Sequence, residues 1–167
     1  MSQVIKCALY GPSKCGKTTY KKRMLYGVID EKESKEKKGD LYKVDYSTGT
    51  IEYDIMEMSS EAKVPLHGVQ CAIIMIDAQS GMENPSILDK YLDLCKGVPV
   101  VVLGSKNDKK FSRRCGNMKL ASYIHSKKIT YYEHSSITLY NAEKPWNIFG
   151  KSFVGGDVVK QTYFLPY

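Results

Sequence analysis

Residues 4–19 read VIKCALYGPSKCGKTT and contain the pattern GxxxxGK[ST] between Gly11 and Thr18. The apolar run of residues 4–10 predicts a β-strand that leads into this pattern, and residues 19–26 predict a helix that leaves it. In a strand–loop–helix setting the backbone N–H groups of the loop surround phosphate groups, and the positive end of the helix dipole faces them. The stretch therefore predicts a phosphate-binding loop, or P-loop, for a nucleoside triphosphate.

The motif assigns a chemical role to its residues. Lys17 would reach the β- and γ-phosphates and act in catalysis, and the Thr18 hydroxyl would ligate Mg²⁺. The other phosphate contacts are predicted for the rest of the loop and the next residue of the helix: Gly11, Ser13, Lys14, Cys15, Gly16 and Thr19. The Cys15 thiol could be reactive at a helix N-terminus, but bound phosphate would oppose the thiolate, which favours a packing role.

Length and composition predict one compact domain. A chain of 167 residues suits a single domain over residues 1–167, with a short tail from about residue 154, that buries about 70% of its unfolded surface. No apolar run approaches the roughly 20 residues of a membrane span, and no prenylation cysteine ends the chain, so we expect no membrane anchor. The five cysteines are scattered and odd in number. They indicate reduced thiols in the cytoplasm or the nucleus.

The formal net charge of +7 is concentrated in three basic clusters, at residues 32–38, 106–114 and 127–128. Clusters of this kind usually form solvated faces. Aromatic residues are not interleaved with them as they are in base-stacking surfaces, so we expect no direct nucleic-acid binding. The alternative is that the basic charge steers association with an acidic protein partner.

Strand and helix signals alternate along the chain. The predicted strands are residues 4–10, 41–46, 50–56, 69–76, 98–103 and 129–132, and the predicted helices are residues 19–26, 88–94, 117–126 and 143–153. Residues 47–49, STG, have the composition of a hairpin turn. The alternation predicts an α/β fold: a mostly parallel six-stranded sheet with one antiparallel edge hairpin and helices on both faces. Nucleotide would lie at the carboxyl ends of the strands.

One further motif, GSKND at residues 104–108, follows a predicted buried strand. It could recognise the base of the nucleotide. The Asp108 carboxylate could accept hydrogen bonds from guanine N1–H and the exocyclic N2–H₂, whereas adenine would leave that charge unpaired. Lys106 could lay its methylene stem over the plane of the base. The alternative is an ordinary surface loop after a strand. Coupled to the P-loop, the motif predicts selection of guanine.

Another motif, EHSSI at residues 133–137, follows the last predicted strand. The backbone N–H groups of this turn could meet guanine O6 and so reject the amino group of adenine. The residues concerned are Ser135, Ser136 and Ile137. His134 is interpreted as a packed or surface histidine and not as a catalyst, because no nucleophile is placed beside it in the sequence.

With these motifs in this order, the chain resembles the Ras-like small GTPases, a class of P-loop NTPases, and within them the Ran branch. The resemblance extends to about residue 153. Outside the nucleotide motifs it is carried by five strings: KRMLYG at residues 22–27, QCAIIMID at 70–77, KK at 127–128, YYE at 131–133 and YNAEKPW at 140–146. The resemblance implies the small-GTPase fold, a monomer, and binding of GTP or GDP with Mg²⁺. It also implies nuclear transport receptors or Ran regulators as partners.

Departures from the family pattern gather where the terminal phosphate and the metal would lie. The DxxGQ signature falls on residues 57–61. Glu57 replaces the aspartate that holds Mg²⁺ through water, and Ser60 replaces a glycine whose N–H meets the γ-phosphate. Glu61 replaces the glutamine that orients the attacking water. As a catalytic residue Glu61 is weakened, because a carboxylate accepts a hydrogen bond from water but cannot donate one to the transition state.

The loop and the first switch region depart from the family as well. Ser13 and Lys14 stand where efficient members have glycine, and Ser13 would crowd an activating arginine finger that is worth about 10³–10⁵ in rate. Lys14 either supplies a positive charge in cis or points into solvent, and the second interpretation is favoured. Residues 28–40 contain no threonine, so Ser34 is the hydroxyl left as a metal ligand there. Together these changes predict weak or lost GTP hydrolysis.

Two functions therefore remain open. One is a slow GTPase that switches between nucleotide states, and the other is a non-catalytic Ran-like binding module or decoy that is locked in one state. A nucleoside or nucleotide kinase is a third alternative, because similar loops occur in those enzymes. It would need a lid with several arginines, and the chain has only Arg23, Arg113 and Arg114.

Overall fold

The chain folds around a mixed β-sheet that carries helices on both faces. The structure is a computed structural model and describes residues 2–26, 41–77, 86–105 and 117–161. The elements within those ranges are β1 Ser2–Tyr10, α1 Lys17–Tyr26, β2 Leu41–Tyr46, β3 Gly49–Glu57, β4 Cys71–Asp77, α2 Ile87–Leu94, β5 Val100–Ser105, α3 Asn117–Lys127, β6 Tyr131–Glu133, α4 Lys144–Phe153 and β7 Val158–Gln161.

The sheet has the strand order β6-β5-β4-β1-β3-β2-β7. β1 pairs in parallel with β3 on one side and with β4 on the other, and β5 and β6 continue the parallel part. β2 runs antiparallel to β3, and β7 runs antiparallel to β2. The predicted α/β class and the antiparallel pairing of the predicted hairpin are therefore confirmed.

Two details of the predicted sheet are wrong. The described residues form seven strands instead of six, and the hairpin does not lie at the edge because β7 covers β2. β7 lies in the part of the chain that was expected to be a short tail. Its sequence, VVKQ, has two apolar residues followed by two polar ones, which is too short a run to indicate a strand.

The turn between β2 and β3 holds the segment that leads into β7. Ser47 N–H donates to Asp157 O at 2.8 Å, and the Thr48 hydroxyl donates to Val154 O at 2.8 Å. These contacts join residues about a hundred positions apart, so no local sequence pattern could have predicted them.

Side chains alternate along the strands and thereby form two apolar layers. In β1, Cys7 and Leu9 face the layer that contains α1 and α4, whereas Ala8 and Tyr10 face the layer that contains α2 and α3. β4 is buried along both faces over residues 71–76, as its continuous apolar run predicted. The helices on both faces of the sheet follow from this alternation.

Trp146 of α4 forms the centre of the first layer. Its side chain is fully buried, and its ring centroid lies 4.8 Å from those of Tyr42 and Tyr53 and 5.9 Å from that of Phe149. Buried aromatic pairs at these separations stabilise by about 0.5–1.5 kcal/mol beyond their burial. The cluster therefore fixes α4 against the hairpin of β2 and β3, and with it the position where β3 ends.

The first helix begins at Lys17, two residues earlier than predicted, because the loop after β1 leads directly into its first turn. No helix within the described ranges is long and apolar enough to cross a membrane.

Gly150 of α4 lies against the ring of Tyr46, and a Cβ at this position would come within 1.9 Å of a ring carbon. The ring cannot move easily, because its hydroxyl lies 2.7 Å from the Tyr53 hydroxyl and donates to Trp146 O at 2.7 Å. Overpacking of this kind costs about 1–3 kcal/mol, more than the roughly 1 kcal/mol that alanine gains over glycine in a helix. We therefore predict that Gly150→Ala lowers the free energy of unfolding in urea.

The matched control is Lys151→Ala, an exposed position of the same helix. It should change the free energy of unfolding by less than about 0.5 kcal/mol. Equal stability of Gly150→Ala and the parent protein would show that the close packing of α4 on Tyr46 is not maintained in solution.

Candidate nucleotide site

The loop between β1 and α1 lies where the strand order of the sheet changes direction. β1 stands between β3 and β4, and the chain leaves its carboxyl end into residues 11–16. In the register of the strands Leu9 is opposite Glu57 and Tyr10 is opposite Ile74, so the ends of β3 and β4 flank the loop. Open α/β sheets bind ligands at such switch points, which is where the sequence predicted a phosphate site.

The backbone of the loop has the turns that close approach to β4 requires. A Cβ on Gly11 would lie 2.2 Å from Met75 O, and Gly16 has a φ of 100°. Lys14 has a φ of 61°, a conformation that costs a non-glycine residue about 1–2 kcal/mol. The side chains of Ser13 and Lys14 are exposed, which agrees with the interpretation that Lys14 points into solvent.

Lys17 is the buried cation of the site. It is 7% exposed, and its Nζ donates to Gly11 O at 2.7 Å and to Pro12 O at 2.8 Å, with Cys15 Sγ at 3.9 Å. These partners, all that the described part of the chain gives it, carry no formal charge. The first turn of α1 contains no acidic residue, so the positive end of the helix dipole adds to the same field. The arrangement favours an anion, and phosphate fits it.

The predicted metal ligands Thr18 and Glu57 lie side by side. The Thr18 hydroxyl donates to Glu57 Oε1 at 2.5 Å, although the two residues lie on different elements. No cluster of three or more His, Cys, Asp or Glu side chains that could hold a metal occurs among the described residues. Mg²⁺ commonly binds through one or two protein oxygens together with phosphates and water. The pair of oxygens therefore fits Mg²⁺ that arrives with a nucleotide.

Ser105, at the end of β5, fastens the loop to the sheet. Its hydroxyl oxygen is buried, contacts Cys15 O and lies 3.0 Å from Ile76 O. The sequence motif GSKND contains this residue, but we assigned it no role. The available signal was a hydroxyl at the end of a buried strand that leads into a predicted binding loop.

The segment after β3 contacts the loop through Ser60. Ser60 Oγ lies 3.1 Å from Ser13 Oγ, and the Ser60 carbonyl oxygen accepts a hydrogen bond from Lys90 Nζ at 2.6 Å. Glu61 is exposed. Burial raises the pKa of the Tyr91 phenol, and the charges of Cys15 and Glu61 raise it further. Lys90 and Tyr91 belong to α2 and were not predicted for the site, because no sequence signal places that helix beside Ser60.

The turn after β6 is organised by a buried histidine. His134 Nδ1 lies 3.0 Å from Tyr140 O, its Nε2 lies 2.9 Å from Ser136 Oγ, and its ring meets Tyr20 of α1 edge-on at 5.0 Å. His134 is therefore packed, in agreement with its interpretation. Ser135 N–H donates to Tyr140 O at 3.2 Å and is used within the turn. The predicted hydrogen bonds to guanine O6 are therefore left to the N–H groups of Ser136 and Ile137.

Three predicted site residues lie outside the described residues. They are Ser34 in the first switch region and Lys106 and Asp108 in the base motif. A cavity of about 630 Å³ lies between α3 and β6, but no residue of the phosphate-binding loop lines it, and we assign it no part in the site.

No protein-family model matches this chain. What the fold defines is a class: an α/β protein with a loop and a buried lysine at the switch point of its sheet.

Burial lowers the pKa of His134 to about 4, although its contact with the Tyr140 carbonyl opposes the shift. The unfolded chain binds this proton near pH 6.5 and the folded protein does not. The free energy of unfolding should therefore fall as the pH drops from about 6.5 to 4, by up to about 1.4 kcal/mol per pH unit. Urea unfolding at a series of pH values measures this slope.

The control is His134→Gln, which keeps a polar side chain but does not titrate. Carboxylates contribute equally to both proteins, so the difference between the two slopes isolates the histidine. Identical slopes would contradict a neutral, buried His134.

Proposed function

We propose that this chain is a guanine-nucleotide-binding protein of the Ras-like small GTPase class, similar to the Ran branch, that binds GTP with Mg²⁺ and hydrolyses it slowly or not at all. The observation that carries the proposal is the buried Lys17 ammonium. It lies at the start of α1 and at the switch point of the sheet, and neutral carbonyl groups hold it in place. A phosphate group would supply the negative charge that these neutral partners do not.

The roles of the chain's own residues follow from their positions. Lys17 and the first turn of α1 would neutralise phosphate charge, and Gly11 and Gly16 let the backbone come close to it. Thr18 and Glu57 would hold Mg²⁺, which neutralises the phosphates when it is bound. β5 ends at Ser105, inside the motif GSKND, and the Ser105 hydroxyl contacts the loop, so the described start of the motif lies beside the phosphate site that we propose.

Weak hydrolysis is supported by the residues around the expected terminal phosphate. The Ser13 and Ser60 hydroxyl oxygens lie 3.1 Å apart, so two side chains fill the space beside the loop where the family that the chain resembles has glycine. The Glu61 side chain is exposed and carries a negative charge, which disfavours further charge development on phosphate. A carboxylate also lacks the donor that would stabilise the transition state.

The second candidate function is a binding module locked in one nucleotide state. The contact between Ser13 and Ser60 favours it, because this contact holds the segment after β3 against the loop. By resemblance, the proposed partners of either form are nuclear transport receptors or Ran regulators. A kinase fits less well, since Arg23, a residue of α1, is only 4% exposed and offers little surface to a second substrate.

The decisive experiment is to denature the purified protein and identify the nucleotide that it releases. We expect about one equivalent of guanine nucleotide, GTP or GDP, because the loop and the base motif select phosphate and guanine. Adenine nucleotide, or an empty protein that binds no added GTP or GDP, would contradict the proposal.

Two variants give this experiment its controls. Lys17→Ala should lose nucleotide, since it removes the buried cation. Asp108→Ala should retain binding but lose the preference for guanine over adenine nucleotides. An unchanged preference in Asp108→Ala would remove this aspartate from the base site while leaving phosphate binding in place.

Hydrolysis should increase when the family residues are restored. We predict that the triple variant Ser13→Gly, Ser60→Gly, Glu61→Gln hydrolyses bound GTP at least tenfold faster than the parent protein in a single-turnover assay, since each change removes a separate obstacle. The control is Glu61→Gln alone, which should give a smaller increase. No increase in the triple variant would place the limitation in the metal ligands, Glu57 above all.

A further inference from the structure

Ser60 is fixed from two sides. Its hydroxyl lies 3.1 Å from that of Ser13 in the loop, and its carbonyl oxygen accepts a hydrogen bond from Lys90 Nζ of α2 at 2.6 Å. The Tyr91 hydroxyl reaches the same carbonyl oxygen at 3.4 Å. We refer to Ser13, Ser60 and Lys90 as the serine latch.

The segment that carries Ser60 is also tied down on either side of it. Met58 N–H donates to Leu9 O at 2.9 Å, and Leu66 N–H donates to the Tyr10 hydroxyl at 3.2 Å. Both acceptors belong to β1, the strand that leads into the loop. These two hydrogen bonds hold the backbone on both sides of Ser60 close to the loop.

We infer that the serine latch makes the site prefer a nucleoside diphosphate over a triphosphate, which rests on the nucleotide binding proposed above. The side of the loop on which a third phosphate would lie is marked by Thr18 and Glu57. These two side chains would hold a Mg²⁺ ion, which would neutralise charge on the terminal phosphates. Ser60 follows Glu57 by three residues and closes onto the loop on that same side.

The separation of the two hydroxyls decides whether a phosphate oxygen fits between them. An oxygen that accepts a hydrogen bond from each at about 2.7 Å, with a tetrahedral angle at the acceptor, holds the donors about 4.4 Å apart. The Ser13 and Ser60 oxygens are only 3.1 Å apart. A third phosphate with an oxygen between these hydroxyls would therefore open the latch, whereas a diphosphate, which has no third phosphate, would leave it closed.

Electrostatic repulsion also favours a diphosphate over a triphosphate. A triphosphate carries more negative charge than a diphosphate, and Glu61 adds another beside the latch. The nearby cation, Lys90, is held on the Ser60 carbonyl oxygen and stabilises the closed position instead of meeting the ligand. Because Lys90 binds the backbone of Ser60, a shift of that backbone away from the loop would also give up a hydrogen bond from a charged donor, which is among the stronger kinds.

The test compares the affinities for GDP and GTP by calorimetric titration in the presence of Mg²⁺. For the parent protein we expect GTP to bind about tenfold more weakly than GDP, because it must break the latch. Ser60→Gly and Lys90→Met should each bring the ratio of the two dissociation constants towards one, mainly by strengthening GTP binding. The matched control is Lys96→Met, since this exposed lysine beyond α2 pairs with Asp93 and does not touch the latch.

A double-mutant cycle assigns the effect to one contact. Ser13→Ala and Ser60→Ala remove the same hydrogen bond, so their effects on the ratio should not add. Equal affinities in the parent protein, or a ratio that the latch variants leave unchanged, would overturn the latch and leave nucleotide binding intact. Failure to bind either nucleotide would overturn the proposed function and the latch together.

Discussion

A buried charge that meets only neutral groups among the described residues is the feature on which the candidate site depends. The Lys17 ammonium is 7% exposed, and its nearest oxygens are the carbonyls of Gly11 and Pro12. A buried cation is unfavourable unless dipoles or a counter-ion compensate for it. The two carbonyls supply part of that compensation, and holding them there requires the loop to fold back over the lysine. Ser105 fixes this shape from β5 through its contact with Cys15 O.

A strand could be predicted from the sequence where its own residues determine it, and could not where contacts with distant residues do. β4 is a continuous apolar run that is buried on both faces, and its type and place were evident from the sequence. β7 was missed, because four residues with two valines resemble any loop. It is a strand only because the turn at Ser47 and Thr48 and the open side of β2 lie beside it. Such causes appear only once the sheet is assembled.

The candidate site likewise contains residues that a local motif predicts and residues that only long-range packing brings together. Gly11, Lys17 and Thr18 act through a short motif whose spacing is sufficient to predict their arrangement. Lys90 could not be predicted, because it meets Ser60 across 30 residues and only the packing of α2 on the sheet brings them together. Ser13 and Ser60 were each recognised as departures from the family, but the hydrogen bond between them, across 47 residues, depends on where β3 ends.

Binding and hydrolysis depend on different parts of this chain. The groups that would hold phosphate come from one continuous stretch, the end of β1 and the first turn of α1, which the sheet supports on both sides. The groups that would act on the terminal phosphate come from the segment after β3, which meets the loop through Ser60. Substitutions in that segment can remove catalysis or change the preferred number of phosphates while the loop remains intact. An altered segment beside an intact loop therefore fits a protein that binds nucleotide but has little use for its hydrolysis.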